Sequence, residues 1–255
     1  MAARRRPPRD ALGCPSDRHV CRSCGRRLRR GARFCDGCGV RLDIGSWPAE
    51  HADVTVMFAD VVGSMQLAAA MGPDRFWDVI VEIVRRCTAV LHEHGAVLDA
   101  FTGDGVMAVF GAPVVSEHHA FRACLAALDI QREVRRFAEE VERVDGRPLR
   151  LRVGLNSGRV LFGAIGAAAV GHNAIGEDVG FAQRMESVAP PGGVLVSEST
   201  ARLVDGVAVL GPFEMVHVKG VDAPVPARRL LAVERPAPAH PTSYGWTVAY
   251  RRARP

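Results

Sequence analysis

Two short apolar runs, residues 96–101 and 106–110, are joined by Thr102-Gly103-Asp104-Gly105. An Asp-Gly pair between such runs is a strong hairpin signal, because the tight turn it makes needs backbone with positive φ. The hairpin constrains the fold more than any other feature, since it commits two strands to one antiparallel register and leaves Asp104 at the tip. Upstream, Val54-Thr55-Val56-Met57-Phe58-Ala59 alternates with period two, as a strand does. Asp60 ends that run on the face shared by Val54, Val56 and Phe58.

Helices fill the intervals. Gly72-Pro73-Asp74 opens one whose apolar positions Phe76, Val79, Ile80, Ile83, Val84, Cys87, Val90 and Leu91 recur every three or four residues until Gly95. A second runs from Ser116, a candidate cap, to about residue 144, where Asp145-Gly146 closes it. Strands follow at 149–155 and 160–162, a helix at 178–188, a strand at 194–197, a short helix at 199–204, and strands at 213–218 and 225–233. Strands and helices interleave without strict alternation, which predicts an α+β sandwich. The division expected is a basic unit over 1–45, a main domain over 46–234, and a Pro/Arg-rich tail over 235–255 that reads as disordered.

Charge follows the same division. Residues 1–45 carry 12 Arg against 4 acids, and residues 235–255 carry 4 Arg and no acid, so the net +5 belongs to the ends. The body is acidic. Lys219 is the only lysine in the chain. No apolar stretch approaches the roughly 18 residues a membrane helix needs, and none follows the basic N-terminus as a secretory signal would. A cytoplasmic chain without a membrane partner is the expectation.

Four of the seven cysteines form Cys21-x2-Cys24-x10-Cys35-x2-Cys38. Each Cys-x2-Cys offers two thiolates at the right bite for one Zn²⁺, and two such pairs close a tetrahedral structural site. The reading is a zinc ribbon at about 20–40 holding one structural Zn²⁺. Its arginines could meet nucleic acid, but without interleaved aromatics a docking or structural role is favoured. Cys87 and Cys124 read as buried free thiols.

The main domain has its own candidate site. Asp60 ends a buried strand, and Val61-Val62-Gly63-Ser64 then turns toward a helix, a geometry that points backbone N–H groups at a phosphate. If the hairpin pairs beside that strand, Asp60 and Asp104 converge, and two carboxylates suit a hard divalent cation. Arg184, on the 178–188 helix, is placed to clamp a phosphate. Taken singly, each has a plain alternative: a turn Asp bonding its own backbone, or a surface Arg.

Residues 54–64, 100–111, 153–166 and 173–186, in that order and spacing, resemble the signature segments of class III adenylate/guanylate cyclases. The likeness covers about 50–233 and includes Val218-Lys219-Gly220. It implies a ferredoxin-like α+β cyclase sandwich acting as a head-to-tail dimer, either a homodimer or a heterodimer with another cyclase domain. It further implies that Asp60 and Asp104, with Val61 in the same shell, bind two Mg²⁺ or Mn²⁺ ions. Gly63 and Ser64 would cradle phosphate, Arg184 would stabilise the transition state from the partner chain, and Lys219 would contact the polyphosphate. The reaction implied converts ATP, or GTP, to the 3′,5′-cyclic monophosphate and pyrophosphate.

The chain also departs from the family pattern. Ala100 stands where adenylate cyclases usually have a purine-reading Lys, and its partner position is Asn173. Gly180 replaces the usual ribose-positioning Asn, Met65 a frequent Thr, and Glu177-Asp178 the usual Asp-Thr. The alternative reading is therefore a catalytically weak or inactive nucleotide-binding regulatory module.

Overall fold

The computed structural model describes residues 49–101, 103–163 and 173–234. The four clustered cysteines Cys21, Cys24, Cys35 and Cys38, and the tail over 235–255, lie outside the described residues. In chain order the elements are β1 (Glu50–Val61), α1 (Ser64–Met71), α2 (Pro73–Glu93), β2 (Val97–Phe101), β3 (Gly105–Phe110), α3 (His119–Asp145), β4 (Leu151–Gly163), β5 (Asn173–Ile175), α4 (Glu177–Val188), β6 (Val194–Ser197), α5 (Glu198–Leu203), β7 (Ala208–Val216) and β8 (Val225–Val233). The strands form one sheet in the order β2-β3-β1-β4-β6-β8-β7, with β5 hydrogen-bonded to β4. All pairings are antiparallel except β4 with β6. This is the α+β architecture expected.

β1 is central, flanked by β3 and β4, and its alternation divides the core. Met57, Ala59 and Val61 belong to a large apolar cluster with Ile83 and Leu91 of α2 and with Ala127, Ile130 and Val134 of α3. Val54, Val56 and Phe58 face the other way and pack with Val179 and Ala182 of α4. Successive residues of a strand point to opposite faces, so Asp60 falls on the α4 side.

Helix α4 lies close on β4. A Cβ at Gly154 would collide with the backbone of Met185 and Glu186, and one at Gly158 would collide with the Asp178 carboxyl. Asp178 is held there by Asn156 Nδ2, which donates at 3.0 Å, and by the backbone N–H of Arg159 at 3.0 Å. Glycine at both positions lets the helix approach.

Three local readings are corrected. The strands expected at 149–155 and 160–162 are one strand, β4, because Asn156 and Ser157 are buried and hydrogen-bonded. Ser157 Oγ lies 2.7 Å from Thr55 Oγ1, and Asn156 Nδ2 donates to Asp178. The second long helix starts at His119; the carbonyl of Ser116 accepts from His119 N–H before its first turn. Between Gly63 and Gly72 lies α1, a helix the apolar pattern does not announce, since only Leu67 in it is buried.

Candidate active site

In the β1–β3 register Asp60 lies opposite Gly105, so the hairpin sets Asp104 beside the end of β1. The two carboxylates do converge. Burial first, and then the charge and hydrogen bonding of Asp104, push the Asp60 carboxyl from the ordinary 3.8 up to about 6. Oδ1 of Asp60 is buried without a hydrogen-bond partner. A buried Asp60 that resists ionising beside a second carboxyl, with one oxygen orphaned, is under-compensated in charge, and a divalent cation supplies the balance. The donor set therefore fits Mg²⁺ or Mn²⁺. Val61 adds a backbone N–H that pulls the Asp60 carboxyl the other way.

Sequence reading missed two residues of this site. Arg152 of β4 lies directly opposite Asp60 in the β1–β4 register. Its Nε stands 3.1 Å from Glu186 Oε1, and its Nη1 donates to the Ser187 carbonyl at 2.9 Å. The Nε–Oε1 contact is off line for a hydrogen bond, so both atoms count as buried and unbonded. Glu186 lies on the buried stripe of α4 with Ala182, Met185 and, just past the helix, Ala189. Burial raises its carboxyl to about 7 against the pull of Arg152, with the charges of Asp60 and Asp104 raising it further. The missed signals were an arginine in register with Asp60 and an acid on an apolar helical stripe.

After β1 the chain turns through Gly63 into α1. Val62 N–H donates to the Arg150 carbonyl at 2.9 Å, and Gly63 takes φ 66 as the residue before α1. A positive φ here favours glycine. Ser64 opens α1, so the first free amides of that helix begin four residues after Asp60.

Arg184 is on α4, two residues before Glu186. Two positions correspond to about 200° around a helix. Glu186 faces Arg152 at the aspartate end, so Arg184 is directed away from the aspartates of its own chain. A guanidinium nitrogen of Arg184 lies 3.6 Å from where a Cβ on Gly220 would be, which groups it with the exposed Lys219 turn. Gly180 has nothing within 4 Å of a built Cβ. Its missing side chain faces open space. Ala100 on β2 pairs with Met107 of β3, and Asn173 opens β5, which approaches β2. The structure thus gathers Asp60, Val61, Asp104, Gly63 and Ser64 at one end of β1, and Arg184 with Lys219 elsewhere on the same chain.

Residues 48–227 match the family described as the adenylate and guanylate cyclase catalytic domain. The chain is similar to adenylate cyclase 1 of Rhizobium meliloti, 29% identical over 159 residues, 62% of this chain and 24% of that protein. It is similarly 29% identical to the membrane guanylyl cyclase of Dictyostelium discoideum over 156 residues, 61% of this chain and 10% of that one. The chain thus spans a quarter or less of the length of these relatives. Among solved structures, the guanylyl cyclase Cya2 superposes with a TM-score of 0.70 at 25% identity, covering 74% of this chain and 97% of that one. The guanylate cyclase domain of RhGC from Catenaria anguillulae, crystallised with GTP, gives 0.63 at 27% identity, over 73% and 100%. With its fold, its converged aspartates and the match over most of its length, the chain belongs to the adenylate and guanylate cyclase catalytic domain family.

Proposed function

We propose that this domain converts a purine nucleoside triphosphate, ATP in the first place and GTP as the alternative, to its 3′,5′-cyclic monophosphate and pyrophosphate. The observation that carries the reading is the Asp60–Asp104 pair with its orphaned oxygen. Bound Mg²⁺ or Mn²⁺, two per site, would polarise the ribose 3′-hydroxyl and neutralise triphosphate charge. Asp60 and Asp104, with Val61 beside them, hold that charge in place. Arg152 offsets the carboxylates on one side, and the amides after Gly63 and Ser64 face the phosphates. The 3′-oxygen bonds to the α-phosphorus, the bond from that phosphorus to the β-phosphate bridging oxygen breaks, and the hydroxyl proton leaves to solvent. Pyrophosphate departs.

Arg184 faces away from its own aspartates, which supports a site shared between two chains. In a head-to-tail homodimer, or a heterodimer with another cyclase domain, Arg184 and Lys219 of one chain reach the triphosphate of the other. There Arg184 meets the charge that builds on the leaving pyrophosphate. Asn173 can donate and accept to either purine, while Ala100 and Gly180 contribute no polar group, so base choice and ribose contact rest on fewer side chains. Those two positions favour the second reading, a nucleotide-binding regulatory module with little turnover.

The test is turnover of ATP and of GTP with Mn²⁺, read as cyclic nucleotide formed. Asp104→Ala abolishes it. Product from neither base, with nucleotide binding intact, overturns catalysis in favour of the regulatory module. Asp60→Ala and Arg184→Ala chains, each inactive alone, regain part of the activity when mixed, because one of the two mixed sites keeps both groups. Confirmed mixed dimers without that recovery would overturn the shared site. We also place one Zn²⁺ on Cys21, Cys24, Cys35 and Cys38, giving one zinc per chain by elemental analysis, and the protein in the cytoplasm. Among the described residues no helix is long and apolar enough to cross a membrane.

A further inference from the structure

Glu186 is a carboxylate where helix packing asks for an apolar side chain. It is 5% exposed, between Met185 at 0% and Ala189 at 4%. Burying an acid is costly unless something pairs with it. Its partner is Arg152, 3.1 Å away, whose guanidinium also donates to the next carbonyl of the chain, that of Ser187. Both anchors of Arg152 therefore come from the end of α4. Arg152 is also the cross-strand partner of Asp60 in the β1–β4 ladder, and its charge acts on that carboxyl as well, so it serves two acids of different duty. Glu186 is paired with Arg152, and among the described residues it does not gather with Asp60 and Asp104 into a three-acid cluster.

We propose that Glu186 is a positioning residue for the cation site: it holds the Arg152 guanidinium toward α4 and so keeps it from pairing with Asp60. An arginine that loses one buried acid turns to the nearest remaining one. Here that is Asp60, and an Arg152–Asp60 ion pair would occupy the carboxylate a divalent cation needs. Gly154 makes the arrangement possible, because only a residue without Cβ admits the backbone of Glu186 at that distance from β4. The proposal rests on the Asp60–Asp104 pair being a cation site, as in the proposed function, and adds a residue that tunes it.

The test reads metal binding and not turnover. Mn²⁺ affinity of the full chain is measured by electron paramagnetic resonance of the free ion, and binding that survives Asp60→Ala/Asp104→Ala is subtracted. Glu186→Gln keeps the shape, removes the charge and weakens Mn²⁺ binding about tenfold, the scale of a direct coupling between neighbouring groups. Adding Arg152→Met to Glu186→Gln restores the affinity to within about twofold of Arg152→Met alone. A Glu186→Gln protein that binds Mn²⁺ like the parent overturns the proposal. So does a double variant that stays as weak as Glu186→Gln, since a merely structural loss would not be relieved by deleting a second side chain. If Glu186→Gln does not fold, the double variant and Arg152→Met alone must bind Mn²⁺ equally, and a weaker double variant overturns the proposal. A parent protein that binds Mn²⁺ yet forms no cyclic nucleotide overturns the proposed reaction and leaves this test intact.

Discussion

The two faces of the sheet solve different problems with the same strands. On the α2–α3 face, Met57, Ile83, Leu91 and Ile130 are each at most 1% exposed, and burial pushes the Cys87 and Cys124 thiols up to about 12. On the α4 face, Asp60, Arg152 and Glu186 each leave a buried polar atom without a hydrogen bond. The first face accumulates apolar area, at roughly 25 cal/mol per Å². The second gives up some of that gain to hold a buried acid and an Arg–Glu ion pair. Stability and chemistry are thus separated by the thickness of one sheet, and residues one position apart on β1 serve different ends.

The comparison breaks most visibly at one buried position on each side. Ile83→Ala on the apolar face removes buried methyl groups and costs about 2–5 kcal/mol. Its turnover per folded molecule stays near the parent's, because no charged group moves. Gly154→Ala on the α4 face places a Cβ against the backbone of Met185 and Glu186, which no side-chain rotation relieves. The helix end must shift, and with it both anchors of Arg152. The expected loss is about 1–3 kcal/mol of stability from overpacking together with roughly 10²-fold in turnover, as for a misplaced catalytic group. Denaturant melts and assays normalised to folded protein check the pair. Equal turnover per folded molecule in both variants would refute the division.

A smaller effect separates the faces by pH. Asp60 rises from 3.8 to about 6 and Glu186 from 4.5 to about 7 on folding. Both are acids raised in the folded state, so between about pH 4 and 7 the native protein holds more protons than the unfolded chain. Without divalent cation, stability contributed by these groups therefore falls as pH rises through that window. Asp60 is partly solvated, so its share is about 1–2 kcal/mol after allowance for screening. Asp60→Asn flattens the decline, and Mn²⁺ restores stability at pH 7 but not at pH 4, where the carboxyls are protonated. Thermal melts across pH measure it; a wild-type slope identical to that of Asp60→Asn would show that Asp60 does not feel its neighbours.

The faces also differ in how much of them could be read in advance. The β1–β3 register supplies the pairing that brings Asp60 to Asp104, while helices α2 and α3, with their long apolar repeats, and the Asp-Gly hairpin that joins β2 to β3 were legible from the chain. Arg152 and Glu186 were not, because a lone Arg in a strand and a lone Glu on a helix match ordinary solvent-facing residues. Only the register opposite Asp60 and the depth of the α4 contact distinguish them. Asn156-Ser157-Gly158 read as a break between strands for the same reason. Its polarity looks like a turn until Thr55, Asp178 and the close approach of α4 supply partners. Pattern captures what is periodic, whereas paired polar residues acquire their meaning from elements distant in sequence.

The smallest expected effect concerns Gly180, and it tests whether the weaker half of the site was lost for a structural reason. A glycine in mid-helix costs about 0.5–1 kcal/mol relative to alanine. Where such a glycine is needed for close packing, as at Gly154, replacement is destabilising. At Gly180 nothing stands within 4 Å of a built Cβ, and no positive φ requires glycine. Gly180→Ala should therefore stabilise the domain by a few tenths to about 1 kcal/mol without changing turnover. Gly180→Asn fits the same space and sits one helical turn before Arg184, so it adds a polar group on the face that Arg184 presents. Cyclic nucleotide formation should rise with Asn and not with Ala. A destabilised Gly180→Ala would reveal a partner packed against this position in the assembled protein. Equal turnover from Ala and Asn would show that the ribose is positioned by other groups.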